Sequence, residues 1–202
     1  MTRLILIRHG ETAWTRQKKY QGLTDIPLSA SGRKQLRRLR KSFDRSKIDI
    51  FYSSALKRAV QTAAILTKGW KVPVIKDPRM NEFSFGAWEG KTARELMKAK
   101  DPSYLKWCRG RWVTPPGGES FRNFQKRTRG FLEQILKRHK DKTIAIVSHG
   151  GPLRMLVLHS LGLTSRFFWK FHFKPGSFMS LQINAGVARL EATGGWMNGA
   201  SK

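Results

Sequence analysis

The chain has 202 residues, enough to bury one sizeable core. With 40% hydrophobic and 26% charged residues it reads as globular rather than disordered. Its single cysteine, Cys108, excludes an internal disulfide, and no run approaches the roughly 18 apolar residues of a membrane span. Lys and Arg number 40 against 13 Asp and Glu, a formal charge of +27. Such a surface attracts anions, from a small anionic substrate to nucleic acid held non-specifically by charge.

The segment Arg3 to Ile7 is a short apolar run rich in β-branched residues. It predicts a buried strand whose C-terminal end delivers Arg8 and His9. Its apolar part is too short for a signal-peptide core, which together with the lone cysteine points to the cytoplasm. Gly10 to Ser31 reads as loop, broken by Gly22, Asp25 and Pro27. Ser31 is expected to cap a helix from Gly32 to Phe43, with Leu36, Leu39 and Phe43 inward and the bases of Arg33 to Lys41 on its wet face.

Ile48 to Tyr52 predicts a second strand, followed by Ser53, Ser54 and a helix from Ala55 to Lys68 that Gly69 ends. Val72 to Ile75 predicts a short edge strand, marked by Pro73. Residues 81–118 are irregular and tryptophan-rich, with a helix near Thr92 to Lys100 and Cys108 read as a packing residue. Ser120 caps a long helix with an inward stripe of Phe121, Phe124, Thr128, Phe131, Leu132 and Ile135. Thr143 to Val147 is a strand running into Ser148-His149-Gly150-Gly151, and a helix follows from Pro152 to Leu161. Ser177 to Ile183 and Val187 to Glu191 form a hairpin about Asn184-Ala185-Gly186. The alternation predicts one domain, 1–202, with a three-layer α/β/α architecture and a mostly parallel sheet, and a cap-like insertion around 81–118.

Ligands of open parallel sheets bind beyond the strand C-termini. His9 and His149 both stand there, each followed by a glycine that lets the backbone turn and brings N–H groups toward an anion. Arg8 adjoins His9, and Arg58 lies early on the helix behind Ser54, whose N-terminus points its dipole at the same edge. Two guanidiniums and two imidazoles suit a phosphoryl group. A zinc site on His9 and His149 would lack further ligands at the usual spacing.

The run Leu6-Ile7-Arg8-His9-Gly10-Glu11-Thr12 resembles the signature of the histidine phosphatase superfamily, which includes cofactor-dependent phosphoglycerate mutase. Further matches follow in order: Tyr20-Gln21-Gly22, Asp25 to Ser29 with Gly32, Ser53 to Ala59 with Gln61-Thr62-Ala63, Asn81-Glu82 with Phe85 to Gly90, Gly118-Glu119-Ser120, and Ser148-His149-Gly150. The resemblance spans nearly the whole chain. It implies that His9 attacks phosphorus and becomes a phosphohistidine, which water then hydrolyses. It implies that Arg8, Arg58 and His149 hold the non-bridging oxygens and that Glu82 is the general acid, with Glu11 structural and Glu89 outside the reacting site. Thr15 stands where many relatives carry Asn, so its contribution to phosphate binding is reduced. Gln21, Gly22 and Gly150 are further candidate lining residues.

Mutases of the family it resembles usually carry a longer insertion between the acid and the second histidine, so the short segment between Glu82 and His149 implies hydrolysis over the mutase alternative, phosphoryl transfer between substrates. Tyr104 to Cys108, Pro116 to Phe121 with Phe124, and Trp169-Lys170-Phe171 resemble α-ribazole phosphatases and broad-specificity phosphatases. Trp88, Trp107, Trp112 and Trp169 are placed either to stack on a ring in the leaving group or to pack the cap. The expectation is a metal-independent phosphatase without cofactor, monomeric or homodimeric, acting on a small-molecule phosphate ester such as α-ribazole 5′-phosphate. The remaining alternative is a basic protein of the same fold that binds polyanions.

Overall fold

The computed structural model describes residues 1–41 and 47–195, the last three without their side chains. Six strands form one sheet: β1 (Thr2–Arg8), β2 (Ile50–Ser53), β3 (Val74–Lys76), β4 (Thr143–Ser148), β5 (Ser177–Asn184) and β6 (Val187–Gly195), in the order β3-β2-β4-β1-β5-β6. The β-branched runs make the interior strands, whose side chains are buried on both faces. The first four strands are mutually parallel, while β5 runs antiparallel to β1 and β6 antiparallel to β5. The sheet is therefore mostly parallel, with the expected hairpin as its antiparallel margin. Ala185 and Gly186 at the hairpin turn take φ of 47° and 80°, a backbone that glycine adopts freely.

Alternation along the strands builds two cores. Leu4, Leu6, Ile144 and Ile146 point to one face, against α6 (Phe121–Arg138) and α7 (Gly150–Ser160). Ile5, Ile7, Ala145 and Val147 point to the other, against α2 (Ala30–Arg40) and α3 (Lys57–Leu66). This is the expected α/β/α layering. A third cluster, of Phe83, Trp88, Leu96, Tyr104, Trp107, Phe124 and Phe168, lies over the strand ends. Its elements are α4 (Ala93–Lys98), α5 (Pro102–Cys108) and a 3-10 segment at Ser165–Lys170, while α1 (Ala13–Arg16) is a single turn after β1.

Several boundaries differ from the sequence reading. Ser29, not Ser31, caps α2, because Ser29 Oγ accepts from Gly32 N while Ser31 turns to the Glu11 carboxylate. Phe43 lies outside the described residues. α3 starts at Lys57 because Ser54 Oγ accepts from Leu56 N and ties the preceding residues into a turn. α7 begins two residues before Pro152 with His149 as its N-cap residue, and β6 runs beyond Glu191 to Gly195. Cys108 is exposed rather than packed. α5 turns Tyr104 and Trp107, three apart, inward, and the residue after Trp107 falls on the outer face.

Candidate active site

Register places the key residues together. β1 and β4 are parallel neighbours with Arg8 opposite Ser148, so both strands end at the same level and His9 N donates to Ser148 O at 3.0 Å. The His9 and His149 rings lie 5.0 Å apart. β2 flanks β4 on its other side, and Ser54 N donates to Val147 O at 2.9 Å, which brings Ser54 beside His149.

His9 is buried, and its Nδ1 donates to Gly10 O at 2.7 Å. A carbonyl only accepts, so Nδ1 carries the proton and Nε2 keeps its lone pair. Burial first, then the positive charges of Arg58 and Arg8, hold this imidazole well below its usual titration range, against a smaller opposite push from the Gly10 bond. His9 is thus a neutral imidazole at neutral pH, as a nucleophile must be.

Arg58 and His149 adjoin it, both fully buried. Arg58 Nε donates to His149 Nδ1 at 3.1 Å, Nη1 to Thr24 O at 2.9 Å, and Nη2 to Gly22 O at 2.7 Å and Gln21 O at 3.3 Å. Because His149 Nδ1 accepts, its Nε2 bears the proton and donates to Ser54 Oγ at 2.8 Å, and Ser54 in turn donates to Asn81 Oδ1 at 2.9 Å. Both His149 nitrogens are thereby committed within the fold. Burial and the neighbouring Arg58 charge keep this imidazole neutral too, and burial lowers Arg8 and Arg58 only to about 10, so both stay cationic at neutral pH.

The cavity over the strand ends measures about 590 Å³. Arg8, His9, Thr15, Gln21, Glu82 and Gly150 line its deep end. Two buried donors there, Arg8 Nε and Gln21 Nε2, lack a hydrogen-bond partner. An unpaired buried donor costs about 1–3 kcal/mol, and both of these belong to residues that line the cavity. The orientation of Gln21 is set by Thr12, whose hydroxyl donates to Gln21 Oε1 at 2.9 Å. Thr15 contributes less than a free hydroxyl would. Its Oγ1 donates to Thr12 O and accepts from Thr12 N, closing a capping box on α1. Gly22 stands outside the lining, where its carbonyl holds Arg58. A Cβ there would come within 2.0 Å of Glu89 Oε1.

Glu82 is buried and lines the same cavity, its Oε1 accepting from Phe83 N at 2.9 Å and Gly151 N at 3.1 Å. The loop that carries it is clamped by Arg127, which donates to the carbonyls of Arg79, Asn81 and Glu82 and forms a two-pronged pair with Glu119 at 2.7 and 2.8 Å. Glu11 and Glu89 serve structure: Glu11 accepts from Ser29 and Ser31, and Glu89 from Leu23 N, Thr24 N and Phe85 N. Arg127 and the cavity-lining Arg154 were not singled out from the sequence. Each interrupts an apolar helix face, and that was the available signal: Arg127 lies between Phe124 and Phe131 on one face of α6, and Arg154 within the buried run of α7.

The layered sheet, with its strand-end histidines, defines a phosphoglycerate mutase-like α/β protein. The family model of the histidine phosphatase superfamily (branch 1) matches residues 4–194, and the chain belongs to that superfamily. It is 38% identical to phosphoserine phosphatase 1 of Hydrogenobacter thermophilus, covering 91% of this chain and 87% of the relative. It is 33% identical to the adenosylcobalamin/alpha-ribazole phosphatase of Escherichia coli, covering 93% of each. Among solved structures, a putative alpha-ribazole-5′-P phosphatase from Escherichia coli superposes with a TM-score of 0.87 at 32% identity, covering 94% of both chains. A phosphoserine phosphatase from Entamoeba histolytica, solved with phosphoserine, superposes with a TM-score of 0.82 at 33% identity over 96% of both.

Proposed function

We propose that this protein hydrolyses small phosphomonoesters in two displacements at His9. The observation that carries the reading is the juxtaposition of a neutral buried imidazole, its Nε2 lone pair free, with two partnerless buried donors from Arg8 and Gln21. The ester phosphoryl group sits on those donors. His9 Nε2 attacks phosphorus, the P–O bond to the leaving group breaks, and Glu82 gives that oxygen its proton. Glu82 then takes a proton from water as the water oxygen attacks the phosphohistidine, releasing phosphate and restoring His9. Arg58, oriented by its bond to the neutral His149, supplies positive field beside the nucleophile and holds the backbone of Gln21 and Gly22.

We read the segment 81–118 as a cap within one domain, shaping the space for the leaving group. The lone exposed cysteine accords with a cytoplasmic enzyme. Relatives named for phosphoserine and for α-ribazole frame the choice of substrate, a carboxylated leaving group against a ring-bearing one. The test is turnover of p-nitrophenyl phosphate by the wild type and by His9→Ala. The wild type is expected to turn over in EDTA and the variant to be inert. A variant that keeps its activity overturns the proposal.

A further inference from the structure

Beyond Arg8, the cavity is lined by three further cations, Lys18, Lys19 and Arg154, and of these Arg154 is the one braced against the aromatic wall. Arg154 lies about one turn beyond Gly150 and Gly151 on α7 and lines the same cavity. Its Nε donates to Phe171 O at 2.7 Å, and its guanidinium rests 5.2 Å from the Phe168 ring centroid and 5.3 Å from that of Trp169. The side chain is thus held from two sides. Its terminal nitrogens have no hydrogen-bond partner among the described residues.

Arg8 hangs from the same stretch of backbone, its Nη1 donating to Phe173 O at 2.6 Å. Phe171 is extended, and exposure alternates from His172 outward to Phe173 inward. Carbonyls two residues apart on an extended segment stand roughly 6–7 Å apart. Two guanidiniums are therefore mounted on neighbouring rungs, Arg8 next to His9 in the chain and Arg154 one step along, against Phe168 and Trp169. A ligand with a phosphoryl group on the first and a second anion on the other, joined by a short carbon link, fits that spacing.

Several rings of the aromatic wall beside Arg154 are already engaged by other side chains, although Trp169 stays half exposed. Trp112 is stacked on Phe121 at 3.6 Å and 16°. Trp107 meets Trp112 and Trp169 edge-on, each at 87°. Arg154 itself covers Trp169, and Trp88 is fully buried with its Nε1 donating to Asp101. These rings wall the cavity and hold the guanidinium in place.

We propose that Arg154 is the specificity-determining residue of this site, binding a carboxylate on the leaving group, so that the preferred substrates are short phosphorylated hydroxy- or amino acids. A guanidinium fork matches a carboxylate with two parallel hydrogen bonds. The inference rests on the phosphatase reading above and adds the substrate class to it.

The test compares O-phosphoserine with phosphoethanolamine, which differ only by the carboxylate, and with ribose 5-phosphate. The wild type is expected to favour O-phosphoserine over both in kcat/KM. Arg154→Gln is expected to lose about 10- to 100-fold on O-phosphoserine, mostly through KM, and far less on phosphoethanolamine. Arg154→Lys, which keeps the charge, is expected to retain part of the preference and guards against a variant that fails to fold. A wild type that hydrolyses p-nitrophenyl phosphate but shows no preference for the carboxylate overturns this inference alone. An Arg154→Gln loss equal on all substrates also overturns it, since it would mean that Arg154 acts on Glu82. A wild type inert toward every ester overturns the phosphatase reading as well.

Discussion

Gly151→Ala is expected to disable the proposed acid while leaving the fold intact. A Cβ on Gly151 would stand 2.4 Å from Glu82 Oε1 and 3.2 Å from Phe124 Cζ, whereas ordinary contact begins at 3.4 Å. The Phe124 ring is buried and held by its neighbours, so the carboxylate must give way by about 1 Å, and displacements of that size at a reacting group cost about 100-fold in rate. The same methyl sits in the first turn of α7, where replacing glycine by alanine favours the helix by up to about 1 kcal/mol. Stability and activity therefore separate. Urea unfolding is expected to show a change within about 1 kcal/mol, while kcat/KM on an alkyl phosphate drops about 100-fold. The drop is expected to shrink on p-nitrophenyl phosphate, whose leaving group needs little proton donation. Full activity of Gly151→Ala on the alkyl ester would refute Glu82 as the acid.

Other consequences follow from the same geometry. Glu82→Gln is expected to hurt alkyl esters more than p-nitrophenyl phosphate, and equal losses on both would contradict the acid role. Arg58→Met leaves three carbonyls and His149 Nδ1 without their donor in the interior, so urea unfolding should show a loss on the order of 3–5 kcal/mol together with inactivity. The neutral buried state of His9 makes stability depend on acid. The unfolded chain takes up a proton at His9 below about pH 6.5 and the folded chain does not, so stability is full above that pH and falls below it by about 1.4 kcal/mol per pH unit for this one group. His9→Gln should remove that increment from the slope, and an unchanged slope would contradict a neutral buried His9. Vanadate, a mimic of five-coordinate phosphorus, is expected to inhibit and to raise the unfolding midpoint, while a lack of effect at millimolar concentration would count against the Arg8–Gln21 donor pair as the phosphoryl site.

The sheet was legible where local chemistry is strong. β1 and β4 announce themselves by unbroken apolar runs, Leu4 to Ile7 and Ile144 to Val147, α6 by its stripe, and the hairpin by its glycine. The region over the strand ends was less legible. α5 went unread although Asp101-Pro102 is a helix start: Asp101 caps Tyr104 N and Pro102 occupies the first turn. Ser31 was read as the cap of α2, but Ser29 Oγ takes Gly32 N while Ser31 bonds Glu11, a contact across 20 residues. In the site, His9, His149 and Arg8 followed from strand ends, and Glu82 came from motif resemblance. The convergence of Arg58 on His149 spans 91 residues and that of Arg127 on Glu82 spans 45, distances at which spacing carries no information. What sequence reading did not foresee was how Arg58 and His149 are held, bonded to each other and, through Arg58, to the carbonyls of Gln21, Gly22 and Thr24.

The proposed catalysis turns on a covalent phosphoryl–His9 intermediate. Mixing the enzyme with an excess of substrate and quenching within the first turnover should trap one phosphoryl group per chain, and peptide mapping should place it on His9 as an acid-labile phosphoramidate. Phosphate on a different residue, or turnover with no trapped species and an oxygen isotope pattern of single-step inversion at phosphorus, would contradict it.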